Sequence, residues 1–231
     1  MRAVLELRRK LRERDARARM RRGIIRRLGI AAAAVLAATL SQTSALAIAD
    51  SLPEWRGGEA QMRTGPVTTQ PIGHWTFCKS APEECRAGAR RRPAPLTTTR
   101  WIAVNEVNAL VNDVIAPRTD AEMHGIPELW SYPEVEGDCE DYVLLKRRML
   151  IERGFRPANL LITVVRKPDG EGHAVLTVRT DRGDYVLDNL SDRVRHWSDT
   201  PYRYLKRQAS YHAGRWVDIE HGTASMVGSV E

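Results

Sequence analysis

Outside its first 47 residues, this 231-residue chain lacks the positive charge that its overall balance of +7 suggests. Residues 1–47 carry twelve Lys or Arg against three acids, a local charge of +9, so residues 48–231 are left at −2. That absence removes the electrostatic footprint of a nucleic-acid-binding protein. Long apolar runs are also missing. The best stretch, Leu28 to Leu40 (LGIAAAAVLAATL), falls short of the ~18–20 residues that span a bilayer. No internal repeat is present, which excludes solenoids and propellers. Cysteine is scarce: Cys78, Cys85 and Cys139 are the only three.

The basic start, the short apolar run and the small-x-small site at Ala45-Leu46-Ala47 read together as a secretory signal peptide cut after Ala47. An uncleaved anchor is the competing reading. Met20 offers a more ordinary start, which would make residues 1–19 an extension. Export to the periplasm is the expectation. In that oxidising compartment Cys78 and Cys85, in CKSAPEEC, form either a local disulfide or two free thiols. Cys139 is then the odd thiol, and an unpaired thiol outside the cell points to chemistry.

The remaining chain divides by pattern. Residues 48–96 are rich in Gly, Pro and Thr and read as an irregular N-terminal arm. Residues 97–220 form the candidate domain, and 221–231 a tail. Within the domain, Thr97, Thr98 or Thr99 can cap a helix whose apolar positions are Trp101, Val104, Val107, Val111 and Val114, closed by Pro117. Residues 118–137 read as a loop. A second helix runs from about Cys139 to Arg153, with Gly154 as its left-handed stop. Strand-like runs follow at Leu160–Val165, His173–Arg179 and Asp184–Leu187, separated by Pro168-Asp169-Gly170 and Asp181-Arg182-Gly183, with weaker ones at Tyr202–Leu205 and Trp216–Ile219. Helices followed by antiparallel strands make an α+β fold.

Three residues in this frame could act together. Cys139 sits at a loop-to-helix junction, where free N–H groups and the helix dipole favour a thiolate and can receive an oxyanion. His173 opens one strand and Asp188 ends the next. If the two strands form a hairpin about a four-residue loop at 180–183, paired positions sum to 363. Val175 then faces Asp188, and His173 is its diagonal neighbour on the same sheet face, with Cβ atoms roughly 7–8 Å apart. Asp188 can then orient His173, and His173 can serve as base for Cys139. Trp101 and Trp130 are candidates for a second oxyanion donor. Asp138, Glu140 and Asp141 crowd the thiol and oppose its ionisation. Clustered carboxylates suit Ca²⁺, although acids in a first helical turn also stabilise a helix unaided.

At these residues the sequence resembles a known family. GDCEDY around Cys139, GHAVL around His173 and LDN around Asp188, with WIAVNEVN upstream, are similar to the bacterial transglutaminase-like cysteine proteinases over roughly Trp75 to Trp216. The resemblance implies a papain-like, transglutaminase-like α+β fold with the catalytic Cys at a helix N-terminus packed on an antiparallel sheet. It implies catalytic roles for Cys139, His173 and Asp188, and calcium held by Asp138 and Glu140 with Asp141. It also implies a protein substrate, a cell-surface adhesin clipped near its anchor, and an inner-membrane receptor as regulatory partner. A monomer is expected. Two other functions remain open on the same residues: acyl transfer to an amine or deamidation, and a non-catalytic binding module.

Overall fold

The computed structural model describes residues 52–53, 59–89 and 91–220. The expected signal peptide at 1–47 and the tail at 221–231 lie outside the described residues.

Seven strands build one antiparallel sheet: β1 (Thr64–Thr68), β4 (Leu160–Arg166), β5 (Gly172–Thr180), β6 (Gly183–Asp188), β7 (Ser191–His196), β8 (Arg203–Ala209) and β9 (His212–Ile219). Their order is β1-β9-β8-β4-β5-β6-β7. Three helices precede the strand run: α1 (Ile72–Ser80), α2 (Thr98–Val114) and the one-turn α3 (Asp120–His124). A fourth, α4 (Cys139–Glu152), carries the odd thiol at its first position. Two short segments, β2 (Ala116–Pro117) and β3 (Glu136–Gly137), pair in parallel and lead the chain into α4.

The long helices form as their sequences dictate. The Thr97 hydroxyl accepts the Arg100 N–H at the start of α2, and Trp101, Val104, Val107 and Val111 are buried along one stripe with Leu110. Helix α4 is buried almost throughout and lies against β5 and α2. Its end is closed by Gly154 at φ +87, with the Phe155 N–H reaching back to the Leu150 carbonyl. Alternation along β4, β5 and β6 sends Val165, Val175 and Val186 to one face of the sheet. There they join Met62, Tyr204 and Ile219 in a second apolar cluster.

The arm expected to be irregular at 48–96 is largely ordered, and the physical reasons are local. Strand β1 contains Pro66, which fits an edge strand that ladders only with β9. Helix α1 buries only Gly73, His74 and Phe77, too few for a readable stripe. Gly73 is needed there: a Cβ would stand 2.4 Å from Trp130 Cδ1. Strand β7 (SDRVRH) has a single apolar residue, so it too left no hydrophobic signature. Helix α3, inside the expected 118–137 loop, rests on a capping box between Thr119 and Glu122.

Cys78 and Cys85 are joined in a disulfide with Cα atoms 5.6 Å apart. The crosslink holds Glu84 where it meets the buried Arg147 of α4 at 3.2 Å and accepts from the Tyr132 hydroxyl at 2.8 Å. The arm is therefore tied to the helix that carries Cys139. Replacing both cysteines by serine is expected to lower stability by about 2–3 kcal/mol, the entropy of closing so short a loop. Urea unfolding of the two proteins, with and without a thiol reductant, checks this: the reductant should weaken only the parent.

Candidate active site

Cys139 is the one free cysteine among the described residues and is half-buried at the first position of α4. The turn into the helix requires Gly137, because a Cβ there would lie 2.9 Å from Asp141 Cβ and 3.1 Å from Pro133 Cβ. The thiol donates to Glu140 Oε2 at 2.9 Å. Burial, then the negative charge of Glu140, pushes the thiol above its ordinary range. The N–H of Ala174, on β5, faces the sulfur and pulls weakly the other way.

His173 immediately precedes Ala174 and is buried, with Nε2 2.8 Å from Asp188 Oδ1. The β5–β6 register pairs Leu176 with Leu187 and Thr177 with Val186, the sum of 363 that places His173 and Asp188 on one face. An ionised carboxylate only accepts, so His173 presents a hydrogen on Nε2, and in the neutral ring Nδ1 is the remaining acceptor. Burial pushes the Asp188 carboxyl upward. The hydrogen bonds from His173, from the Tyr202 hydroxyl at 2.5 Å and from the Leu190 N–H at 3.0 Å outweigh it and hold the group below the usual carboxylate range.

The support behind Asp188 was not visible in the sequence. Asn108 on α2 accepts the Asp188 N–H at 3.1 Å and the Lys146 ammonium at 2.8 Å, both on its Oδ1. Asn112 donates to the Asp188 carbonyl at 3.0 Å. Lys146 lies two turns along α4 from Cys139 and is fully buried. Helix α2 thus fixes the backbone of Asp188, while Tyr202 stands edge-on to the His173 ring at 5.6 Å. The i, i+4 spacing of Asn108 and Asn112 puts them on one face of α2, but nothing in the sequence tied that face to Asp188. Nothing local marked Tyr202 or Lys146.

The acidic residues separate into two groups. Asp120, Asp138 and Glu140 bring carboxylate oxygens within 4.8 Å of one another. Asp141 is turned away and accepts the Ser131 N–H at 2.8 Å, bracing the preceding loop. The sequence suggested Asp141 as the third member of this group; the carboxylate gathered with Asp138 and Glu140 is Asp120, brought in by α3 from 18 positions upstream of Asp138. Burial and the charges of Glu140 and Asp120 raise Asp138 to about 8. Burial raises Glu140 as well, and raises Asp141 to about 7. The N–H of Trp130 is already engaged, and Trp101 is buried on α2. Trp130 donates to Glu128 Oε1 and packs on His74 and Trp216, and Trp101 packs in the core on Tyr185.

A family model described as bacterial transglutaminase-like cysteine proteinase matches residues 64–224. Among solved structures, the chain is similar to Legionella pneumophila LapG at 20% identity, covering 52% of this chain and 78% of that one, with a TM-score of 0.43. The EGTA-treated form of LapG gives 20%, 52%, 76% and 0.43, and the calcium-bound form 18%, 68%, 94% and 0.44. No curated protein matches the chain.

Burial lowers Lys146 to about 7, with Asp188 and Asp192 pulling partly back. The unfolded chain keeps this proton up to the ordinary lysine range, so above pH 7 unfolding takes up a proton. The destabilisation is therefore fully present below pH 7 and fades as pH rises toward 10. Relative to Lys146→Met, the parent is expected to gain up to about 1.4 kcal/mol of stability per pH unit across that window. Urea unfolding at pH 6.5, 8 and 9.5 measures the difference; a constant gap would contradict it.

Proposed function

The chain belongs to the bacterial transglutaminase-like cysteine proteinases, and from that premise we propose that Cys139, His173 and Asp188 form its catalytic triad and hydrolyse a peptide bond in an exported protein. The observation that carries this reading is the buried His173–Asp188 bond beside the helix terminus that bears the free thiol. His173 Nδ1 takes the Cys139 proton, and the sulfur attacks the scissile carbonyl carbon. The oxyanion develops at the N–H groups of the first turn of α4. His173 then returns the proton to the departing amine, and water, deprotonated by His173, splits the thioester. Asp188 holds the imidazole in the required tautomer and stabilises it when charged.

In the described geometry the thiol hydrogen points to Glu140 rather than to His173. Activation therefore requires the charge of the acidic cluster to be offset. The cluster fits a hard cation. Asp120 Oδ1 and Asp138 Oδ1 are buried without any hydrogen-bond partner, beside a third carboxylate at Glu140. Asp120, Asp138 and Glu140 would hold Ca²⁺, which supplies positive charge against the carboxylates flanking the thiol. Calcium is expected to raise the thermal midpoint of the protein, and Asp120→Asn with Asp138→Asn to abolish that rise. Differential scanning fluorimetry with calcium and with chelator reads this without any activity assay.

The remaining parts of the proposal draw their support from sequence pattern and family resemblance. Residues 1–47 direct export, and the Cys78–Cys85 disulfide suits the periplasm. The substrate is a cell-surface adhesin, the regulator an inner-membrane receptor, and the enzyme acts as a monomer. Mass spectrometry of adhesin anchor regions incubated with the protein tests the reaction. Two fragments whose masses sum to the substrate plus water are expected. Cys139→Ser should abolish cleavage, and His173→Ala should slow it by about 100-fold or more. A one-dalton gain or a crosslinked product would instead assign acyl transfer.

A further inference from the structure

The sheet ends at β7, and among the described residues no strand covers its outer edge. Along this strand Val194 and His196 turn inward, while Arg193 and Arg195 are exposed. Arg195 stands opposite Val186 in the register, on the face that carries Asp188. Both arginines line a recess of about 200 Å³ between β7 and the segment leading into β8. Its wall includes Tyr202, and Leu190, 60% exposed, lies at its rim.

Neither arginine has an acidic partner among the described residues. The nearby acids are committed elsewhere. Asp188 serves His173, Tyr202 and the Leu190 N–H. Asp192 accepts from Asn112, and Asp199 from Ser198. The recess is thus basic, open and partly apolar, and it shares Asp188 and Tyr202 with the catalytic pair.

We infer that this recess and the free edge of β7 form a docking site for an extended acidic segment of the protein substrate, gripped by Arg193 and Arg195. The inference rests on the peptidase reading for the identity of the occupant. The spacing favours an extended partner. Side chains two apart on a strand repeat every ~6.6 Å, and a second strand laid on the edge repeats at the same interval. Acids at alternate positions of such a segment reach both arginines while its backbone runs along the edge that no described strand occupies. Charged residues on an edge strand also discourage edge-to-edge association. That role accepts either sign of charge, whereas docking an acidic segment does not.

The test uses the full chain carrying Cys139→Ala and a fluorescein-labelled peptide of alternating Glu and Thr, read by anisotropy. Arg193→Glu with Arg195→Glu should weaken binding at least tenfold, and Arg193→Lys with Arg195→Lys should retain most of it. Circular dichroism and thermal unfolding establish that each variant folds. Equal binding of a Lys/Thr peptide, or binding unchanged by charge reversal, overturns the inference. So does binding of anionic phospholipid vesicles without the peptide. Because the assay involves no hydrolysis, its outcome is separate from that of the cleavage experiment: failure of either leaves the other result readable.

Discussion

The register of the β5–β6 hairpin is the constraint on which the site depends. Thr180 pairs with Gly183 across a two-residue turn, and from there every partner is set in steps of two. Gly183 adopts φ +128, and a Cβ at this position would stand 2.5 Å from His196 Nε2, so the turn tolerates no other residue. With an even loop, His173 and Asp188 emerge on one face and bond; one residue more or less would send them to opposite faces. Everything behind the pair serves to hold that geometry. Asn108 and Asn112 fix the Asp188 backbone from α2, and Tyr202 fixes its carboxylate from the far side.

Charge works against reactivity at the other half of the site. Three carboxylates converge around the helix terminus that carries the thiol, and the nearest of them takes the thiol hydrogen. Burial and the charge of Glu140 hold the thiol above its ordinary range. Asp120 Oδ1 and Asp138 Oδ1 are buried without a hydrogen-bond partner, and both belong to this cluster of carboxylates. The cation proposed for this cluster would account for both observations at once: it would use the orphaned oxygens and offset the charge that opposes ionisation.

Much of this was legible in the sequence because the relevant signals were local. The stripe of α2, the start of α4 at the Gly137 turn, the glycine stop at 154 and the hairpin parity all follow from spacing within one or two elements. Asp120 was not legible, because an acid in a Pro- and Gly-punctuated loop carries no mark of where α3 will place it. Asp141 was assigned to the cluster by proximity in sequence. Each helical residue turns about 100°, and that rotation carries Asp141 toward Ser131 instead. Strands β1 and β7 escaped for a related reason. They are edge strands with one face exposed, so the alternation that marks a buried strand is diluted by polar residues. Lys146 left no signal for the opposite reason: a lysine in a helix ordinarily faces solvent, and only tertiary packing buries it against Asn108.

The central claim is that His173, oriented by Asp188, activates Cys139. The rate of Cys139 alkylation by iodoacetamide as a function of pH tests it most directly, with calcium or chelator present, in the parent and in His173→Ala. An ordinary thiol titrates near ~8.5, and catalytic thiolates lie well below. The account predicts rapid alkylation near pH 6 in calcium, slowed by the chelator and slowed further in His173→Ala. A profile that follows an ordinary thiol in every condition would contradict it.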